Sequence, residues 1–262
     1  MLIRIGHSND PDDAFMVWAL AERRIDTRGF EFELVPADIQ TLNGWALEGR
    51  LEVSALSLAA YPLVQDRYAL LPHGASLGSG YGPIVVTREQ MSLERLRETE
   101  IVVPGKLTTA FLVLRFVLGD FRFRELGFEQ ILDEVREERA DAGLLIHEGQ
   151  LTYGAAGLAK SLDLGEWWQQ ETGLPLPLGV NVVRRDVERS GEVSEVLRES
   201  IEAALAHRDE ALGYALEFAR DLDVADADRF VELYVNEYTR DLGDAGHRAV
   251  AELLSRAATL PS

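Results

Sequence analysis

The chain of 262 residues contains no cysteine. That excludes disulfides, thiolate metal centres, iron-sulfur clusters, cysteine nucleophiles and a lipid-anchored Cys. It is also short of positive charge: 26 Lys+Arg stand against 45 Asp+Glu, a formal net charge of −19, and no run of Lys or Arg exceeds two. A nucleic-acid binder draws most of its affinity from phosphate neutralisation by a basic face, so that class is excluded, and anionic membrane surfaces with it. Long apolar stretches are missing too. No window reaches 18 apolar residues, and Met1 to Gly6 lacks the basic and apolar regions of a secretory leader. These absences lead us to expect a soluble cytoplasmic protein. What the chain has is apolar side chain: 47% hydrophobic residues is far too many for a charge-swollen disordered chain. The length fits two small domains or one large one.

Short apolar runs bounded by Gly, Pro or charge predict strands at Leu2 to Gly6, Phe30 to Val35, Val53 to Leu58, Tyr68 to Leu71, Ile84 to Thr87, Ile101 to Val103, Gly143 to Ile146 and Val180 to Val183. Helical patterns lie between them, at Ala14 to Ile25 and at Ile39 to Gly49, where Ile39, Leu42 and Ala46 share a face and Gly49 stops the helix. This alternation predicts an α/β fold with a mostly parallel sheet and ligands outside the carboxyl ends of its strands. From Ser194 the chain reads as helix throughout, with amphipathic stretches at Asp209 to Asp221, Arg229 to Tyr238 and Ala245 to Ala258. Helices this charged need an earlier layer to pack against. The expected layout is lobe one at 1–90 plus 185–262, with the helical tail packed on it, and lobe two at 91–184. Two chain crossings make a hinge, and the cleft between the lobes is the expected ligand site.

Several segments could carry chemistry. Ile101 to Phe111 runs from a strand through a Gly turn into a helix that Thr108 or Thr109 can cap. Its first-turn amides and two hydroxyls suit a carboxylate or phosphate, although plain capping explains the same residues; the Walker spacing is absent. Gly74 to Pro83 holds four Gly and two Ser, and it is either a backbone cradle for a ligand or a tight link between strands. It leads into Pro83 and a strand, which rules out a dinucleotide fingerprint.

Of the five histidines, His207 and His247 sit in charged helical stretches. His147 ends the run Ala142 to Ile146, at the carboxyl edge of a strand, where a near-neutral imidazole is a natural general base. Leu151 stands where a zinc-protease helix needs its second His. The acidic cluster Asp10, Asp12 and Asp13 fits no EF-hand; one Asp is expected to cap the first helix and the others to face solvent, with no metal bound. In the pair Trp167-Trp168, one ring is expected in the core, and the other is placed to wall a cleft.

Taken in order, a set of segments resembles the 1,4-dihydroxy-6-naphthoate synthase family of menaquinone biosynthesis by the futalosine route. They are His7 to Phe15, Gln40 to Asn43, Leu56 to Tyr61, Gly78 to Pro83, Pro104 to Ala110, Ile146 to Glu148, Thr152-Tyr153 and Asp163 to Trp168. Each is weak alone; their shared order is specific. The resemblance implies a two-lobed type II periplasmic-binding-protein-like fold with a hinge and central cleft. It also implies a lyase acting on cyclic dehypoxanthinylfutalosine without a cofactor. A His at the position of His147 would abstract a proton, and the attached ring would break down to release the naphthoate and a three-carbon fragment. Ser57, Thr108 and Thr109 match positions that contact substrate, and Asn43, Ser79 and Tyr153 are further candidates. Many relatives carry Ser-Pro-Cys-Pro-Asn-Asp-Thr-Phe in the first motif; here Asp10 replaces the Cys, Asp12 the Asn and Ala14 the Thr, which leaves the contacts of residues 9 to 14 open.

The implied partner is this small molecule alone, bound by a monomer or homodimer, with neither nucleic acid nor membrane. The competing reading is a non-catalytic binding protein or sensor for a small aromatic carboxylate on the same fold. Either ligand is an anion, whereas the chain is strongly acidic. Screening over about 8 Å at physiological salt makes distant acidic helices matter little, so Thr108 and Thr109, with Lys106, are expected to hold it.

Overall fold

The computed structural model describes residues 1–219 and 222–260. Arg220 and Asp221, at the end of the helix expected to reach Asp221, and Pro261 and Ser262, at the end of the expected lobe one, lie outside the described residues. The apolar runs form strands: β1 (Leu2–His7), β2 (Glu31–Pro36), β3 (Val53–Ser57), β4 (Tyr68–Leu70), β5 (Ser76–Gly78), β6 (Ile84–Thr87), β7 (Ile101–Val103), β8 (Phe123–Glu125), β9 (Ala142–Leu145), β10 (Ala159–Asp163) and β11 (Leu176–Arg184). The first sheet has the order β2-β1-β3-β11-β4, with β5 also paired to β11; the second has the order β10-β6-β9-β7-β8.

The sheets are mixed rather than mostly parallel. In the first, β1 is parallel to β2 and β3, but β11 is antiparallel to β3, β4 and β5. In the second, β7 is parallel to β8 and β9, but β6 is antiparallel to β9 and β10. The exceptions are the strands that travel between sheets. A parallel neighbour needs a crossover that returns the chain to the same end, whereas β6 and β11 enter from the opposite side. These strands also place both crossings before the expected boundaries at 90 and 184, since β6 already belongs to the second sheet and β11 to the first.

Helix ends follow local chemistry. Asp38 caps Ile39–Glu48 by accepting the Thr41 N–H at 2.9 Å, and Gly49 ends it at φ 72°. Asp163 caps Leu164–Thr172 through the Gly165 and Glu166 amides, at 3.0 and 3.1 Å. The first helix begins at Pro11 rather than Ala14, because proline at the first helical position needs no N–H partner. In the tail, Ser190–Ala206 and Arg208–Ala215 bury Ile201, Ala204 and Ala211 against Ala14, Phe15 and Trp18 of that first helix. The last helix, Gly243–Ala257, reaches further. Its Leu253 joins a core that contains both Leu58 and Val113, and the Arg256 guanidinium lies 5.2 Å from the Trp168 ring centroid. One continuous apolar core therefore runs from the first sheet into the second, and each fully buried Leu or Val in it contributes about 1.5–3 kcal/mol.

Candidate functional site

The parallel strands set the site. β1, β3, β7 and β9 point their carboxyl ends toward a cavity of about 110 Å³ between the sheets. They deliver Ser8, Ser57, Thr108 and His147, and Phe230 and Tyr234 of the helix Val224–Tyr234 close the wall. His147 follows β9 by two residues, as expected of a strand-end imidazole.

The acidic cluster overturns its expected role. Asp10, Asp12 and Asp13 do not face solvent; they are 4%, 8% and 9% exposed and line the cavity. Asp10 occupies the position before Pro11, but its side chain makes no capping hydrogen bond. It turns to His147, with Oδ2 at 2.6 Å from Nδ1. The His147 side chain is 11% exposed, and its ring meets Phe128 edge-on at a centroid distance of 4.1 Å. His147 Nε2 is buried with no partner in the protein, as is Asp10 Oδ1. Burial alone would lower the His147 pKa, but the charge and hydrogen bond of Asp10, with Glu148 and Asp12 behind it, outweigh that and raise it. Asp10, His147 and Glu148 bring ligand-type atoms within 4.8 Å of one another. The contact between the first two is a hydrogen bond, since two ligands of one zinc ion stand about 3.4 Å apart.

The neighbouring carboxyl groups differ. Burial, then Asp13 and Asp10, push Asp12 well above the usual carboxylate range, and His147 offsets only part of this. Asp13 is raised by burial but accepts the Ser8 N–H at 2.6 Å and faces His7. His7 is itself pushed down by burial and donates from Nδ1 to its neighbour's carbonyl, Ser8 O, at 2.8 Å. A helix N-terminus favours a carboxylate by only about 0.3–1 kcal/mol, and at Asp12 burial, followed by the Asp13 and Asp10 charges, outweighs it.

The cavity brings together His147, Ser57, Thr108 and Thr109. Asn43 stands behind Ser57: its Nδ2 donates to Ser57 Oγ at 2.9 Å, and its Oδ1 accepts the Ser57 N–H at 2.8 Å. The two threonine hydroxyls are already engaged. Thr108 Oγ1 donates to Gly105 O at 2.8 Å and caps the helix Thr109–Leu118 through Phe111 N–H, while Thr109 Oγ1 donates to Leu178 O at 2.6 Å. An anion here would meet the first-turn amides, not free hydroxyls. Lys106 lies elsewhere and pairs with Glu125 at 3.2 Å.

Ser79 is exposed, and Tyr153 packs beside Ile84 and Val86; neither lines the cavity. Nor does either tryptophan, since Trp168 is fully buried and donates to Pro175 O at 3.0 Å, while Trp167 packs partly buried on the same core. In the Gly-rich segment, a Cβ at Gly78 would lie 2.1 Å from the Tyr81 carbonyl oxygen, the mark of a tight strand link, although Gly74 does line the cavity. Asp10, Asp12, Ser76, Gln150 and Tyr234 were not anticipated as site residues. Only the acidic cluster among them left a sequence signal.

The sequence profile of the menaquinone-biosynthesis family matches residues 3–259. A 1,4-dihydroxy-6-naphthoate synthase from Thermus thermophilus is 42% identical over 258 residues, spanning 97% of this chain and 93% of that protein. A crystal structure of an Archaeoglobus fulgidus protein superposes with a TM-score of 0.93 at 43% identity, over 98% of this chain and 97% of that one. At 14% identity, a Candida albicans protein described as having the generic periplasmic binding protein fold superposes with a TM-score of 0.75, over 100% of this chain and 92% of that one. The fold is thus that of the two-lobed periplasmic-binding-protein class, and the chain belongs to the menaquinone-biosynthesis family that includes the 1,4-dihydroxy-6-naphthoate synthases.

Proposed function

We propose that this protein is a cytoplasmic lyase that converts cyclic dehypoxanthinylfutalosine to 1,4-dihydroxy-6-naphthoate without a cofactor, with His147 as general base. The observation that carries the assignment of the base is the Asp10–His147 pair: Asp10 holds Nδ1, so the buried and unpartnered Nε2 is the nitrogen left for chemistry. A base oriented by a carboxylate at a cavity between the sheets has what proton abstraction requires. The named Thermus relative supports the reaction. Ser57, whose Oγ accepts from Asn43, keeps its own O–H to donate, and the helix that Thr108 caps, which begins at Thr109, offers first-turn amides to a carboxylate.

The test is to incubate the purified protein with the cyclic futalosine derivative, without metal or nucleotide, and follow naphthoate fluorescence. His147→Asn should fold and bind the compound yet lose turnover by about 10²–10⁴-fold. Undiminished turnover in that variant would remove His147 as the base. Binding by the wild type without conversion would make this a binding protein for an aromatic carboxylate.

A further inference from the structure

The three carboxyl groups at the start of the helix Pro11–Ala21 have different company. Asp10 is paired with His147 at 2.6 Å, and Asp13 accepts the Ser8 N–H at 2.6 Å. Asp12 meets the Asp13 backbone N–H and, at 3.5 Å from its Oδ2, the Ser76 hydroxyl, a weak contact at the limit of a hydrogen bond. Among the described residues, no lysine or arginine lines the cavity. A third ionised carboxylate would therefore stand beside two others with no fixed counter-charge of its own. Two further polar atoms, Asp10 Oδ1 and His147 Nε2, are buried without a partner, and their residues line the same cavity as Asp12.

We propose that Asp12 rests as a neutral carboxylic acid and offers its O–H as a hydrogen-bond donor to an oxygen of the bound substrate. The proposal rests on the cavity being the binding site of the reaction given above. Burial and the flanking carboxyl groups keep the proton on Asp12. The titratable groups that face it are Asp10 and Asp13 at the start of its own helix, His147 from the turn after β9 and Tyr234 from the tail helix. Of these, His147 pulls toward the carboxylate, and Tyr234 is pushed so far up by burial that it stays neutral. In this state the site accommodates an anionic ligand. The Asp10 carboxylate is already engaged by the Nδ1–H of His147, and Asp12 becomes a donor instead of a repelling charge. An acid kept neutral by its surroundings so that it can donate is an established catalytic device.

Isotope-edited infrared spectroscopy reads the state of Asp12 in the whole protein. The expected result is a carboxylic-acid C=O band at neutral pH that is missing from Asp12→Asn and shifts when 1,4-dihydroxy-6-naphthoate is added. Absence of the band, its persistence in Asp12→Asn, or its indifference to the naphthoate would overturn the proposal. In turnover, Asp12→Ala should lower kcat/KM about 10- to 100-fold, the cost of leaving a polar partner unpaired. Asp12→Asn, a neutral donor of similar shape, should restore most of that loss and remove the alkaline limb that ionisation of Asp12 gives the wild type. Equal losses in the two variants would mean that the carboxylate itself is needed. The infrared result does not depend on activity, so a wild type that shows the band but no turnover would count against the proposed reaction and leave Asp12 supported.

Discussion

Replacing Asp10 by asparagine separates the charge of the Asp10–His147 pair from its shape. An unfolded histidine titrates near pH 6.5, and His147 in the folded protein titrates above its ordinary value. The folded state therefore binds that proton more tightly. This stability is fully present below about pH 6.5 and is lost as pH rises through the folded pKa. In Asp10→Asn the burial that lowers the His147 pKa loses its main opponent, so the sign reverses and stability falls as pH drops below about 6.5. With His147 charged, removing its buried partner costs about 3–5 kcal/mol. With His147 neutral, the new amide oxygen accepts the same N–H, and the cost is about 1 kcal/mol. For a chain of this size about 1 kcal/mol moves Tm by roughly 2–4 °C. Scanning calorimetry should thus show a gap between wild type and variant of about 10 °C near pH 5.5, shrinking toward about 3 °C as pH rises through the folded His147 pKa. The Asp10 charge also helps to raise Asp12 and Asp13, so its removal relieves both as they ionise and narrows the gap with rising pH in the same direction. A gap that is constant with pH, or that widens on the alkaline side, would refute the charged pair.

Tyr234→Phe removes the 2.7 Å bond from the tail helix to Gln150 Oε1, in the segment that follows His147. Amides of residues 147–153 should then exchange faster with solvent, with a stability loss of about 1 kcal/mol; unchanged exchange would show that this bond does not hold the segment. Gly165→Ala would place a Cβ 2.0 Å from the Tyr81 backbone, where nothing flexible can give way, whereas a Cβ at Gly154 meets nothing within 4 Å. The first change should cost about 1–3 kcal/mol or prevent folding, and Gly154→Ala should stay within about 0.5 kcal/mol, both read as Tm.

Strands with strong apolar runs were legible in the sequence: β6 and β7 have the expected residues. β5, β8 and β10 were not. β5 and β8 are three residues long, and β8 and β10 form the two edges of the second sheet, half-buried, so their sequences carry no apolar run. β11 proved longer than the stretch Val180 to Val183 because Pro177 and Gly179 interrupt its apolar pattern, at the irregularity in its pairing with β5. Within the site, His147 could be placed because a strand end has a predictable address. Asp10 and Asp12 could not, since a run of Asp reads as solvated until tertiary structure encloses it. The threonines show a related limit: their position beside the cavity was legible, but not that Gly105 and Leu178 would take their protons.

The way β11 completes the first sheet also orders the folding of the chain. β11 lies between β3 and β4, yet it is made long after them, with the whole second sheet in between. Until β11 arrives, one side of β3 has no partner, and an unpaired strand edge invites association with other chains. The second sheet, by contrast, is one unbroken stretch of sequence and can complete its pairing first. The inserted half thus has all its strands available before β11 is made and can reach β3. A destabilising change there would leave the other half with an open, aggregation-prone edge.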